Sequence, residues 1–180
     1  MIPVFEEFML PFLNILADGK AKNKREMDEA IAKHFNLSEE DKNMRTRGGS
    51  QTQLYDRTQW SATYLKQANL VVSPQRGIYQ ITQAGKDLLK TDIKLISRDF
   101  LYDNYESFRA FANKKNASTK ALNKTQSIHV IESKISPNEQ IEEIYSEINE
   151  SLIAELREII NNQTPQFIEK LVVDLLVKMG

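Results

Sequence analysis

The sequence predicts a mainly α fold with one small β-hairpin. Three observations carry this expectation. Apolar residues recur at three- and four-residue steps over residues 4–17, 24–35, 52–68 and 139–161. Helix-start signals stand ahead of several of these stretches: Asn23 with Glu26, Ser38 before three acids, and Ser136-Pro137 with Glu139. Only residues 70–73 and 78–82 read as short β-favouring runs, and they flank the turn-forming Pro74-Gln75-Arg76-Gly77.

Taken in order, residues 4–17 read as an apolar helix on Phe5, Phe8, Met9, Phe12, Leu13 and Leu16, kinked or restarted by Pro11 and ended by Asp18-Gly19. Asn23 opens a polar helix with one apolar stripe, Met27, Ile31 and Phe35, and Asn36 stops it. Ser38 with Glu39, Glu40 and Asp41 predicts that a short helix follows. Arg45 to Gly49 reads as a flexible basic loop. From Thr52 to Ala68 a longer helix buries Leu54, Trp60, Ala62, Tyr64, Leu65 and Ala68, with Asp56, Gln59, Thr63 and Lys66 on its opposite, polar side. The hairpin follows, and Thr82 starts a short helix to Leu89 in which Gly85 is tolerated.

Helices, then a two-stranded wing, is the order of a winged helix-turn-helix, and residues 1–90 are assigned to it. Residues 91–136 are read as a connecting segment. Within it, 93–111 form one or two short helices, and 113–136, rich in Asn, Lys, Ser and Thr, forms a flexible linker in which 128–131 pair locally at most. A long helix occupies residues 137–162, roughly 37 Å at 1.5 Å per residue. Its stripe of Ile141, Ile144, Ile148, Leu152, Leu156 and Ile159 keeps to one face without sustaining a strict heptad. Thr164-Pro165 opens a last amphipathic helix over 163–180.

Composition excludes several classes of function. The chain has 180 residues, no cysteine and two histidines, which removes disulfides, thiolate chemistry and Cys-based zinc sites. No apolar run approaches the roughly 18 residues of a membrane span, and the first residues lack a basic, signal-like start, so a cytoplasmic location is expected. No glycine-rich phosphate loop, nucleophile elbow or His-Glu metal motif is present, so no catalytic residue and no metal ligand is assigned. The net charge of −1 conceals an asymmetry: +2 over residues 1–90, +3 over 91–130 and −6 over 131–180. Residues 45–76 hold five bases (Arg45, Arg47, Arg57, Lys66, Arg76) and one acid, Asp56. Such an excess suits a polyanion-facing surface, and it equally suits a solvated basic face.

In a winged helix the third helix enters the DNA major groove and the wing touches the backbone or minor groove. Basic residues then offset phosphate charge, and short polar ones reach base edges. On this pattern the candidate DNA-binding residues are Arg45, Arg47, Gln51, Gln53, Arg57, Gln59, Thr63, Lys66, Gln75 and Arg76. Arg57 has a second reading, as a structural partner of Asp56, Asp87 or another carboxylate. Trp60 and Tyr64 read as core, and paired acids such as Glu142-Glu143 as a solvated face.

Three stretches, IPVFEEFMLPFLNILADG, YDRTQWSATYLKQANLVVSPQRGIYQIT and TPQFIEKLVVDLLVKMG, resemble in that order the Mrr-type restriction system proteins. The most specific part is RxxWxxxYLxxAxL…RGxYxIT, from Arg57 to Thr82. These proteins are bacterial endonucleases directed against modified, methylated DNA. The resemblance implies an amino-terminal winged-helix domain and, in the third stretch, the opening helix of a nuclease domain. The family's Mg²⁺-binding Asp and Glu- or Gln-x-Lys elements are expected after Gly180. Glu169 matches the acidic residue of the opening nuclease helix, with Ile168 before it where the family more often has Phe. The resemblance therefore implies double-stranded, methylated DNA as partner and no cofactor or cleavage activity in this chain. Two other classes remain open: a transcriptional regulator forming a homo-oligomer through the 137–162 helix, and a protein-interaction winged helix that binds no DNA.

Overall fold

The computed structural model describes the backbone of residues 2–120 and 136–179, and the side chains of 2–113 and 136–179. It is mainly helical with a small antiparallel sheet, as the sequence predicts. Two compact units are present, residues 1–140 and 141–180.

The first unit is built around an apolar helix that starts in two steps. Phe5–Phe8 is a 3₁₀ turn, closed by the Met9 N–H donating to the Glu6 carbonyl, and α1 follows at Met9–Ile15. Pro11 accounts for the change of pitch. A continuous α-helix would drive its ring against the Glu7 carbonyl, whereas the third position of a fresh helix needs no N–H donor. Phe5, Phe8, Met9, Phe12, Leu13 and Leu16 are all buried at the centre of the core.

Helix α2 (Lys24–His34) carries the capping box: the Glu26 N–H donates to Asn23 at 3.0 Å and the Asn23 N–H donates to Glu26 at 2.7 Å. Its Met27 and Ile31 join the core. Asn36 ends it in the left-handed region, at φ 50°. Ser38 caps α3 (Glu39–Asn43), and Thr52 caps α4 (Gln53–Gln67). The Arg45–Gly49 loop between them is a hydrogen-bonded turn. Gly49 donates to the Thr46 carbonyl at 2.8 Å, Arg45 reaches the Gly49 carbonyl at 2.8 Å, and Thr46 is buried.

The hairpin forms as expected, and it gains a third strand. Strand β2 (Val71–Val72) pairs with β3 (Ile78–Ile81) in the register Val71↔Ile81, and β1 (Lys22–Asn23) pairs on the other side of β3 in the register Lys22↔Tyr79. Two residues leading straight into a helix cap carry no alternating pattern, so β1 was not legible in the sequence. Helix α5 (Gln83–Leu89) lies close against the sheet at Gly85, where an added Cβ would stand 2.4 Å from the Leu70 carbonyl oxygen and 2.7 Å from Ile81. Gly85 is therefore required there, not merely tolerated.

Residues 98–112 add to the same core. Helices α6 (Arg98–Asn104) and α7 (Glu106–Lys120) bury Leu101 and Phe108, and Ile96 lies buried just before them. Tyr64 sits within an aromatic cluster, edge-on to Phe5, Trp60, Phe108 and Phe111 with centroids 5.2–6.5 Å apart. A linker is expected from residue 113, whereas α7 runs on to Lys120, so residues 113–120 are helical. The remainder of that expectation, with the local pairing at 128–131, lies outside the described residues.

Helix α8 (Pro137–Asn161) opens on Ser136, whose hydroxyl accepts from the Glu139 N–H at 3.2 Å while Glu139 accepts from the Ser136 N–H at 2.9 Å. Its first turn belongs to the first unit. The second unit holds the rest of α8 and α9 (Pro165–Met179), whose described residues include none that is buried. Among the described residues no helix is long and apolar enough to cross a membrane.

Candidate nucleic-acid interface

Gln59, Thr63 and Lys66 recur at steps of four and three along α4, so one helix face carries all three. Two of them, Gln59 and Lys66, line a cavity of about 490 Å³ together with Lys24, Ser73, Arg76 and Tyr79. Three elements thus contribute one cation each: the start of α2, the body of α4 and the β2–β3 turn. Among the described residues no carboxylate lines the cavity. Among the described residues Lys24, Lys66 and Arg76 form no ion pair.

Local bonding explains how the cavity keeps its form. The Lys24 N–H donates to the Gly77 carbonyl at 2.9 Å, which ties the start of α2 to the hairpin tip. Gly77 takes φ 79°, and the Ser73 hydroxyl lies 2.8 Å from the carbonyls of both Gln75 and Ile78. The Lys24 ammonium meets the Tyr55 hydroxyl and ring. Tyr79 donates its hydroxyl proton to the Gln59 side-chain oxygen at 2.8 Å. That bond leaves the Gln59 amide nitrogen as the donor, buried and without a hydrogen-bond partner. An unmade buried donor costs about 1–3 kcal/mol.

Two ionisable groups nearby are displaced. Burial pushes the Asp28 carboxyl up to about 6, against the pull of its Thr58 hydrogen bond and of Lys24. Burial also raises the Tyr79 phenol, helped by the Asp28 charge and opposed by its bond to Gln59. Tyr79 therefore stays protonated and remains a donor. A second cavity, of about 510 Å³, is lined by both signs of charge, Asp28 and Glu29 with Lys33 and Lys42. That balance gives an anion no preference for it.

The other sequence-predicted residues lie elsewhere. Arg45 and Arg47 are exposed in the loop before α4. Gln53 donates to the Arg45 carbonyl at 3.3 Å, and Gln51 donates to the Asp56 carboxylate. Thr63 is half-buried, and its hydroxyl donates back to the Gln59 carbonyl at 2.9 Å. Gln75 is exposed at the hairpin tip beside Arg76.

Arg57 takes the structural pairing. Its guanidinium is buried, donates to the Ile2 and Pro3 carbonyls, the latter at 2.5 Å, and holds Glu139 through two nitrogens at 2.7 and 3.3 Å. The partner is a residue eighty-two positions later. Asp56, placed by spacing on the polar side of α4, is instead buried, where it accepts from Gln51, from the Ser136 hydroxyl and from Asn138, the last at 2.7 Å. Spacing along one helix cannot register a segment that returns to cover it.

Sequence reasoning missed Lys24 and Tyr79 as members of the site. Lys24 follows the Asn23 cap directly, so its place at a helix start was readable. Its position beside the hairpin tip depends on β1 pairing with β3, which was not.

No curated protein and no solved structure matches the chain. Residues 5–91 match the family model described as the Mrr N-terminal domain, a span that takes in all of the cavity's residues. Over that stretch, just under half of the chain, the protein is similar to the Mrr N-terminal domain, and the match links it to restriction systems.

Proposed function

We propose that this chain is the recognition module of a restriction-system protein acting on modified DNA. It binds duplex DNA as a winged helix does, with α4 toward the major groove and the β2–β3 turn on the backbone, and it has no cleavage activity of its own. The observation that supports this reading is the convergence of Lys24, Lys66 and Arg76 from three elements on one cavity to which the described residues bring no carboxylate. Phosphate neutralisation with counterion release needs such a surface. Gln59 and Thr63 share the α4 face with Lys66, and Arg45, Arg47, Gln51, Gln53 and Gln75 add contacts at the helix start and hairpin tip. Arg57 is excluded by its burial. Methylated DNA as partner and a cytoplasmic location rest on the family relationship.

The test is fluorescence anisotropy on methylated and unmethylated duplexes of one sequence across a range of salt. The double variant K66A/R76A is expected to bind more weakly, with the log–log salt slope reduced by about 0.9 for each phosphate that is no longer neutralised. Unchanged affinity and slope overturn the assignment. Incubation of the chain with Mg²⁺ and methylated plasmid is expected to leave the plasmid intact.

A second reading, a transcriptional regulator dimerising through α8, is favoured by the exposed Ile141, Ile148, Leu152, Leu156 and Ile159 on that helix. It requires a concentration-dependent dimer in light scattering and a palindromic binding site.

A further inference from the structure

We propose that the cavity between α2, α4 and the hairpin tip is a discrete phosphate site, in which the Gln59 amide nitrogen is the neutral donor. The proposal deepens the DNA-binding reading and rests on it for the source of the phosphate.

Three features select this chemistry. The cations are of two kinds, two ammoniums and one guanidinium, and among the described residues they surround a space lined by no acid. Like charges held around one space repel, and an anion placed among them relieves that repulsion. The donors are also sorted in advance. The Ser73 hydroxyl is directed at the carbonyls of Gln75 and Ile78, so it adds no free donor. Tyr79 occupies the Gln59 oxygen and thereby fixes which end of that amide is an acceptor and which a donor. The unsatisfied Gln59 nitrogen needs an acceptor oxygen, and the cavity's cations supply none. A phosphate oxygen meets both demands at once: it accepts from a neutral N–H, and it carries charge for Lys24, Lys66 and Arg76. A cavity of about 490 Å³ exceeds one phosphate group. It has room for a diester inside a DNA strand as well as for the free ion.

The experiment follows the Gln59 side-chain amide and the Gly77 backbone amide by ¹⁵N NMR on the full chain. Inorganic phosphate and a short methylated duplex are titrated separately. Inorganic phosphate is expected to move both resonances saturably, and the duplex is expected to displace it. Gln59→Leu is expected to weaken phosphate about tenfold while leaving the duplex salt slope unchanged, because the residue is neutral. Lys24→Met is expected to lower that slope by about 0.9, the value for one neutralised phosphate. Phosphate binding without duplex binding upholds the pocket and removes DNA as the source. Duplex binding with the Gln59 amide unmoved by phosphate overturns the pocket and leaves the wider reading intact. A Gln59→Leu protein that keeps its dispersed spectrum and binds phosphate as the parent does overturns the role of the amide.

Discussion

Replacing Asp28 with asparagine is expected to stabilise the protein, and by an amount that depends on pH. Asp28 lies on the inner side of α2, near Thr58 of α4 and Tyr79 of β3, and burial raises its carboxyl from 3.8 to about 6. The folded chain therefore holds this proton where the unfolded chain has released it. The stability this group contributes is fully present below about pH 3.8 and is lost as the pH rises to about 6. A shift of roughly two units corresponds to at most about 3 kcal/mol at 1.36 kcal/mol per unit. The side chain is only half-buried, and solvent reduces the expected effect to about 2 kcal/mol. The asparagine side chain does not titrate. The difference between D28N and the parent should be near zero at about pH 3.5, grow through about pH 4–6 and level off above about pH 6.5. Asp18, Asp41 and Asp87, whose carboxyls are lowered by hydrogen bonds, are common to both proteins and cancel in the difference. Urea unfolding followed by circular dichroism at several pH values from about 3.5 to about 7.5 measures it. A constant difference across that range, or a less stable D28N at its alkaline end, refutes the reasoning.

Three further substitutions test the packing. Arg57→Met leaves Glu139 buried without its partner and should cost about 3–5 kcal/mol in urea unfolding, much of it recovered by adding Glu139→Met. Gly85→Ala should destabilise by about 1–3 kcal/mol in a thermal melt, because the Leu70 carbonyl stands in the way of the new methyl. Helix propensity alone predicts the opposite sign, a gain of about 1 kcal/mol. Asn23→Ala removes the capping box and should cost about 1 kcal/mol by the same melt.

The features legible in the sequence are those decided within a few residues. The boxes at Asn23 and Ser136, the stop at Asn36 and the hairpin turn each depend on close neighbours in the chain, and each stands as expected. The apolar stripes of α1 and α4 were equally plain, because burial of one face follows helical period. What stayed hidden depends on distant chain. Asp56 looks like a solvated acid until Ser136 and Asn138 reach it. Gly85 looks dispensable until the Leu70 carbonyl is placed against it. At the candidate site, Gln59, Lys66 and Arg76 were found from type and spacing, whereas Lys24 and Tyr79 come beside them only through strand pairing.

The bonding of Arg57 and Asp56 to residues 136–139 bears on where the chain can be shortened. A fragment stopping at residue 91, where the family match ends, would keep a guanidinium and a carboxylate in its interior and discard Glu139, Ser136 and Asn138. Solvent would have to enter beneath the amino-terminal segment at Ile2 and Pro3, whose carbonyls also hold Arg57. A fragment cut at residue 91 is therefore expected to be less stable than one that keeps residues 136–139 with the segment joining them.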